Sequence, residues 1–114
     1  MKLSDHQSEF LLDVCQLIGY CKYHAIKITG GELFRTIYQQ AEYLRTGKSK
    51  TMNSMHLKRL AIDLNFFVDG KLTYEKEKLE NIGRYWEGLN ILNESGMFWK
   101  FVDTNHFQRN LDKK

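Results

Sequence analysis

Apolar side chains recur at helical spacing in three stretches of the chain. The first predicted helix spans residues 5–23, with an apolar face formed by Phe10, Leu11, Val14, Leu17, Ile18 and Cys21. Ser4 followed by Gln7 predicts a capping box at its start. A second helix is predicted over residues 36–45, and a third over 74–92, where Ile82, Tyr85, Trp86 and Leu89 share one side.

Large apolar residues at every second position over 60–67 predict a strand with one buried face. Leu60, Ile62, Leu64 and Phe66 point to that face, while Asp63 points to the other. Further short strands are predicted over residues 25–29, 99–102 and 106–108, and Asp69–Gly70 predicts a hairpin turn. These elements together predict an α+β fold in which about three helices pack against a small, mostly antiparallel sheet.

The 114 residues are 42% hydrophobic and 27% charged, which is typical of one folded domain, and we expect residues 1–114 to form a single catalytic domain. No apolar run approaches the ~20 residues of a membrane span, and acidic residues interrupt any signal sequence, so we expect no stable membrane insertion and a first location in the cytoplasm. Cys15 and Cys21 are six positions apart, a spacing that favours core thiols over a disulfide framework or a metal site.

The candidate chemistry is carried by two imidazoles and two carboxylates. His56 and Asp63 flank the start of the alternating strand, and Asp103 and His106 lie in a turn near the end of the chain. Two histidines and one carboxylate leave tetrahedral zinc an open position for water, as a hydrolytic site requires. Asp103 is then placed to act as a general base. Taken alone, His56 and Asp63 also fit a surface histidine and a strand carboxylate in an ordinary hydrogen bond.

The motif Ser54-x-His56-x4-Ala61-x-Asp63, followed by Asp103-x2-His106-Phe-Gln108, resembles the M15 zinc peptidases. This family includes D-alanyl-D-alanine carboxypeptidases and dipeptidases and phage L-alanyl-D-glutamate endolysins. The stretch from Gly47 to Asn65 looks most like the endolysin branch. The resemblance implies a Hedgehog/DD-peptidase-like fold, Zn²⁺ held by His56, Asp63 and His106, and Asp103 as the catalytic base.

The resemblance also assigns three further residues. It places a catalytic Arg35 before the zinc motif, where a guanidinium would bind the carbonyl oxygen as negative charge develops. A surface ion pair at the start of the second helix is the alternative for Arg35. Ser54 and Gln39 match positions that contact substrate, although Ser54 equally fits a turn-stabilising role. For Trp99 and Phe101 we favour core packing over stacking on substrate.

The function expected from these residues is a zinc peptidase that cuts an L-alanyl-D-glutamate bond in bacterial peptidoglycan, as a bacteriophage endolysin acting on the cell wall after release. The alternatives are a D-alanyl-D-alanine carboxypeptidase or dipeptidase, and a non-catalytic, zinc-stabilised wall-binding module. A basic run of Lys48, Lys50, Lys58 and Arg59 is more typical of a solvated surface than of a nucleic-acid site. We expect a monomer that binds peptidoglycan, not nucleic acid.

Overall fold

The computed structural model describes residues 1–49, 51–52 and 54–113, so that Lys50 of the basic run lies outside the described residues. The three helices are α1 (Leu3–Tyr23), α2 (Ile37–Arg45) and α3 (Lys76–Leu89). The strands are β1 (Lys27–Gly30), β2 (Ala61–Val68), β3 (Lys71–Thr73), β4 (Asn93–Ser95) and β5 (His106–Arg109). Short 3-10 helices cover Met55–Lys58 and Gly96–Phe98.

The five strands form one antiparallel sheet in the order β1-β2-β5-β4, with β3 paired to β2. Strand β2 is long enough to pair with β1 and β3 near its C-terminal end and with β5 near its N-terminal end. The predicted α+β fold with a small antiparallel sheet is therefore confirmed.

Helices α1 and α3 cover one face of this sheet and form the core with it. Phe10 of α1 meets Trp86 of α3 edge to face, and Trp86 in turn meets Phe107 of β5. The buried Trp86 indole N–H donates to the carbonyl oxygens of both Glu94 and Gln108, at 3.1 and 3.2 Å. This one side chain therefore ties α3 to β4 and β5, the strands that support the site.

The alternation predicted for the central strand and the predicted hairpin are both confirmed. Leu64 and Phe66 are buried and Ile62 packs against the core, while Asp63 lies on the opposite face. Asp69 and Gly70 have φ of 52° and 78°, as a two-residue turn with positive φ at both positions requires. The core face of α3 is also as predicted, although the helix is shorter at both ends.

The strand predicted over residues 99–102 is wrong. Phe101 and Val102 are 64% and 51% exposed, and the outer strand is instead the polar β4. Side chains explain why a polar segment pairs here: Asn93 donates to the carbonyl of Trp86 and Glu94 accepts from Gln108. The outer strand could not be found from apolar alternation, because β4 is stabilised by polar side-chain contacts rather than by burial of apolar groups.

Two smaller predictions about α1 also fail. The helix begins at Leu3, where the Asp5 carboxylate accepts from the Lys2 backbone N–H, and Gln7 donates to the carbonyl of Lys58 instead of capping. Cys15 is exposed, whereas Cys21 is buried, and burial raises the pKa of the Cys21 thiol to about 11. None of the helices in the described ranges combines the length and apolar character needed to cross a membrane.

Candidate active site

Asp63 and His106 are brought together by strand pairing. They face each other directly in the antiparallel register of β2 and β5, so their side chains project on the same side of the sheet. His106 Nδ1 lies 3.3 Å from Asp63 Oδ1. Because this face is opposite the core, the pair lies at the floor of a cleft rather than among the packed helices.

His56 reaches the same carboxylate from the 3-10 helix before β2. Ser54 caps that helix, and its Oγ accepts from the His56 backbone N–H at 3.2 Å. The ring Nδ1 lies 2.9 Å from the carbonyl oxygen of Leu33, which can only accept, so Nδ1 carries the proton. Nε2 is left as the nitrogen with a free lone pair, 3.3 Å from Asp63 Oδ1.

These three residues fit a zinc ion. Ligand atoms of a tetrahedral zinc site are about 3.3–3.6 Å apart if each bond is about 2.0–2.2 Å, and both imidazole nitrogens lie 3.3 Å from Asp63 Oδ1. All three ligand atoms lie within 4.8 Å of one another. His56 is 1% exposed, and its Nε2 has no hydrogen-bond partner among the described residues, despite the nearby carboxylate. A buried acceptor of this kind is costly unless it binds something.

The carboxylate between the rings is held in its charged form. Burial raises the pKa of Asp63, but the His106 and His56 rings, when they carry a proton on the nitrogen that faces this carboxylate, outweigh burial and bring the pKa well below its usual range. Asp63 therefore presents an anionic oxygen, which is the form that binds a metal ion.

The cluster opens into a cleft of about 400 Å³. The walls of this cleft are formed by residues from four segments: Arg35, Lys48, Ser49, Thr51, Ser54, Met55, Trp99, Phe101, Asp103, Gln108, Asn110 and Asp112. Six of the seven residues expected to bind the metal, carry chemistry or contact substrate are thus brought to one cavity, namely His56, Asp63, His106, Asp103, Arg35 and Ser54. Gln39 is not among its lining residues.

Asp103 is positioned by the turn that leads into β5. Its backbone N–H donates to the carbonyl of Gly96 at 2.9 Å, and its carbonyl accepts from the His106 N–H at 3.3 Å. A Cβ at Gly96 would collide with the Asp103 carbonyl oxygen and lie 3.1 Å from His106 Cβ. The absence of a side chain at Gly96 therefore allows Asp103 and His106 to lie together beside the metal ligands.

Arg35 is fixed by a network of its own. Its Nε donates to Glu32, and Nη1 donates to Gln40 Oε1 at 2.6 Å and more weakly to Ser54 Oγ at 3.4 Å. The guanidinium also packs over the ring of Tyr43, 4.7 Å from its centroid. A guanidinium has more N–H donors than these contacts use, so Arg35 retains donors for a substrate oxygen. Arg35 also forms an ion pair with Glu32, as the alternative for this residue predicted, but it does so while lining the cleft rather than on the outer surface.

Gln40, which the sequence did not single out, has the place beside Arg35. It is fully buried, accepts from Arg35, and donates to Ser49 Oγ at 2.8 Å and to the carbonyl of Thr51. Gln39, one position earlier, is exposed, and its backbone N–H donates to the Thr36 hydroxyl at the start of α2. The geometry thus turns Gln40 toward Arg35, Ser49 and Thr51 behind the cleft wall, and Gln39 to solvent.

The aromatic residues near the second motif are not core residues. Trp99 lies against the site, with its ring 4.9 Å from that of His106, and Phe101 is largely exposed at the cleft wall. The core packing expected for Phe101 is therefore wrong. Both rings form part of the cleft wall.

Several supporting residues were not found from the sequence. Glu32 holds Arg35 and also accepts from the Tyr43 hydroxyl at 3.0 Å, a contact that raises the pKa of Tyr43. Gln108 contacts His106, and Glu94 contacts Gln108. The Gln108 contact had a signal, because residues two apart on a strand share one face. No sequence signal indicated the contacts of Glu94 and Glu32, because these contacts depend on how the segments pack in the folded structure.

Comparison with known proteins agrees with this site. The M15 family model described as D-alanyl-D-alanine carboxypeptidase matches residues 47–109, more than half of the chain. A solved structure of the Serratia marcescens L-Ala D-Glu endopeptidase ChiX is similar, with 27% identity and a TM-score of 0.64. The match covers 75% of this chain and 68% of that one. No curated protein sequence gives a match.

The matched region contains His56 and Asp63 of the first motif and Asp103 and His106 of the second. The family description and the similar structure both name enzymes that hydrolyse peptide bonds, one from a chain end and the other within the chain. The two motifs and most of the residues that line the cleft lie in the part of the chain that the family model matches. The chain therefore belongs to the M15 family of peptidases and is a hydrolytic enzyme.

Proposed function

We propose that this protein is a zinc-dependent endopeptidase that hydrolyses the L-alanyl-D-glutamate bond of peptidoglycan stem peptides. The observation that carries the proposal is the cluster of His56, Asp63 and His106 at the floor of a cleft that also contains Asp103 and Arg35. A purely structural zinc site needs neither a further carboxylate nor a fixed guanidinium, so the wall-binding alternative leaves both residues without a role.

Zinc bound by these ligands would supply a Lewis acid and would lower the pKa of its water. The half-buried Asp103 carboxylate takes the proton from the attacking water and returns it to the leaving amine. Arg35 donates to the carbonyl oxygen as negative charge develops there, and Glu32 and Gln40 keep its guanidinium in place for this task. Ser54, beside both Arg35 and His56, is placed to contact substrate.

The choice of bond is supported by the similarity to an L-Ala D-Glu endopeptidase. A second candidate, a D-alanyl-D-alanine carboxypeptidase, is favoured by the description of the matching family. The two differ in their products, because the endopeptidase creates new L-alanine carboxyl and D-glutamate amino ends, whereas the carboxypeptidase releases free D-alanine.

The test is to incubate zinc-loaded protein with purified peptidoglycan, with and without a chelator, and to identify the new ends by mass spectrometry. L-alanine and D-glutamate ends that the chelator abolishes are the expected result. Released D-alanine would favour the second candidate. Bound zinc without any product would instead favour the wall-binding module.

We further propose a phage-type endolysin role, in which the enzyme accumulates in the bacterial cytoplasm and reaches the wall after the membrane is breached. Cells that produce the protein should remain intact until their inner membrane is permeabilised and should then lyse within minutes. Cells that produce the Asp103→Ala variant provide the control and should not lyse. Lysis of intact producing cells would contradict this role.

A further inference from the structure

His106 has a polar neighbour on each side of its ring. Nδ1 faces Asp63, and Nε2 lies 2.7 Å from Oε1 of Gln108, which is 8% exposed. Only a nitrogen without a proton can bind a metal ion. The ring must therefore carry its proton on Nε2 if Nδ1 is to serve as the ligand.

Gln108 by itself does not decide this protonation state. A glutamine amide has an acceptor and a donor end of nearly the same shape, and it can present either one to a neighbour. With Oε1 toward the ring, Nε2–H of His106 is stabilised. With the amide reversed, its NH₂ group would favour an Nε2 lone pair and move the ring proton to Nδ1, where it blocks the metal.

Glu94 decides the orientation of the amide. Its Oε1 lies 3.0 Å from Gln108 Nε2 and 3.1 Å from Asn110 Nδ2. An ionised carboxylate only accepts, so Gln108 must turn its NH₂ group toward Glu94 and its oxygen toward His106. The contact is built into the sheet, because Glu94 and Gln108 are directly opposite in the register of β4 and β5.

We propose that Gln108 and Glu94 are positioning residues that hold His106 with its proton on Nε2 and so leave Nδ1 free for zinc. The inference rests on the proposed zinc site. Glu94 is not one of the three ligands and acts on His106 through Gln108. Residues that orient a ligand in this way typically contribute about 10–100-fold to metal affinity.

The test is a titration of zinc against a chromogenic chelator. Gln108→Leu should weaken zinc binding by about 10–100-fold, and Glu94→Leu should weaken it by about tenfold, because the amide can then reverse. Glu94→Gln should give an affinity between those of wild type and Glu94→Leu, since its amide accepts from Gln108 in only one of its two orientations. Glu87→Ala is the matched control. Glu87 of α3 accepts from the N–H of Ser95, which neighbours Glu94 on β4, but Glu87 is not part of the contacts from Glu94 through Gln108 to His106. It should leave zinc affinity unchanged.

A second measurement reads the ring itself. In zinc-loaded protein with ¹⁵N-labelled histidine, the Nε2–H of His106 should give a resonance protected from exchange, and this resonance should weaken in Glu94→Leu. The Nδ1–H of His56, held by the Leu33 carbonyl, is the internal reference and should not change.

Zinc affinity within about twofold of wild type in both leucine variants, with an unchanged His106 resonance, would overturn the inference alone, because second-shell losses are larger than that. Wild-type protein that fails to bind zinc would overturn the proposed function, and this inference with it. The two failures are therefore distinguishable in one titration series.

Discussion

His56 and His106 face the same Asp63 oxygen with opposite ring nitrogens. His56 offers Nε2 because its Nδ1–H is held by a backbone carbonyl, that of Leu33. His106 offers Nδ1 because its Nε2–H is held by the Gln108 side chain, which Glu94 orients in turn. The first support is part of the main chain, so no side-chain substitution removes it. The second consists of two side chains and is therefore exposed to mutation.

Replacing the rings themselves gives the largest expected effect and tests whether the two are equivalent as ligands. His56→Ala and His106→Ala should each lose zinc and turnover together. Asp103→Ala should bind zinc as wild type does while its turnover falls by about 10²–10⁴-fold, because it loses only the general base. Metal content and peptidoglycan hydrolysis are measured on the same samples. Equal zinc loss in Asp103→Ala would contradict the assigned roles.

Arg35→Lys should give the next largest effect and sharpen the contrast between ligand support and catalytic support. Lysine keeps the charge but not the planar fork that contacts Glu32 and Gln40, so turnover should fall by about 10²–10³-fold with unchanged zinc affinity. Arg45→Lys is the matched control, since Arg45 is an exposed residue of α2 that pairs with Glu42. Its kinetics should equal wild type, and a similar loss there would refute the specific role of Arg35.

Gly31 lies against Asp63, and Gly96 lies against Asp103. Substitution of either glycine should have a smaller effect, which is measured as a change in the free energy of unfolding. A Cβ at Gly31 would lie 2.9 Å from the Asp63 carbonyl oxygen, and one at Gly96 would lie still closer to that of Asp103. Both alanine variants should lose about 1–3 kcal/mol of unfolding free energy, Gly96→Ala more than Gly31→Ala, because backbone must move. Urea unfolding of metal-free protein measures this.

Gly88→Ala provides the control for the glycine pair. Gly88 lies on α3 with nothing within 4 Å of an added Cβ, so the substitution should be neutral or stabilise by up to about 1 kcal/mol. If all three variants were equally destabilised, close approach at Gly31 and Gly96 would not explain the result.

The same two imidazoles show what the sequence can predict. The position of Asp63 on the face of β2 away from the core followed from the alternation, because a strand fixes which residues share a face. Its meeting with His106 was expected from the two motifs, and the register of β2 with β5 provides it. The three helices and the central strand were also predictable, since each depends on local features of the sequence such as the spacing of apolar residues. The Asp69–Gly70 turn was predictable from the dipeptide itself. Zinc ligation and the role of Asp103 were suggested by the residue types and made specific by the family resemblance, and both remain proposals.

The remaining features depend on pairing between distant segments. The Leu33 carbonyl that holds His56 belongs to main chain, which has no sequence signal for such a contact. Strand β4 is polar and short, and only its register with β5 shows why Glu94 lies there. Gln39 and Gln40 are adjacent and chemically identical, so only the start of α2 at Ile37 determines which of them is buried.

The smallest expected effect tests the backbone support directly. Leu33→Ala removes an exposed side chain but leaves the carbonyl that accepts from His56, so zinc affinity should stay within about twofold of wild type, unlike the losses expected for second-shell side chains. The same chelator titration compares it with Gln108→Leu. Equal weakening in the two variants would mean that the Leu33 side chain holds its own main chain in place. The difference between a main-chain and a side-chain support would then disappear, and with it the reason to expect the two imidazoles to respond differently to mutation.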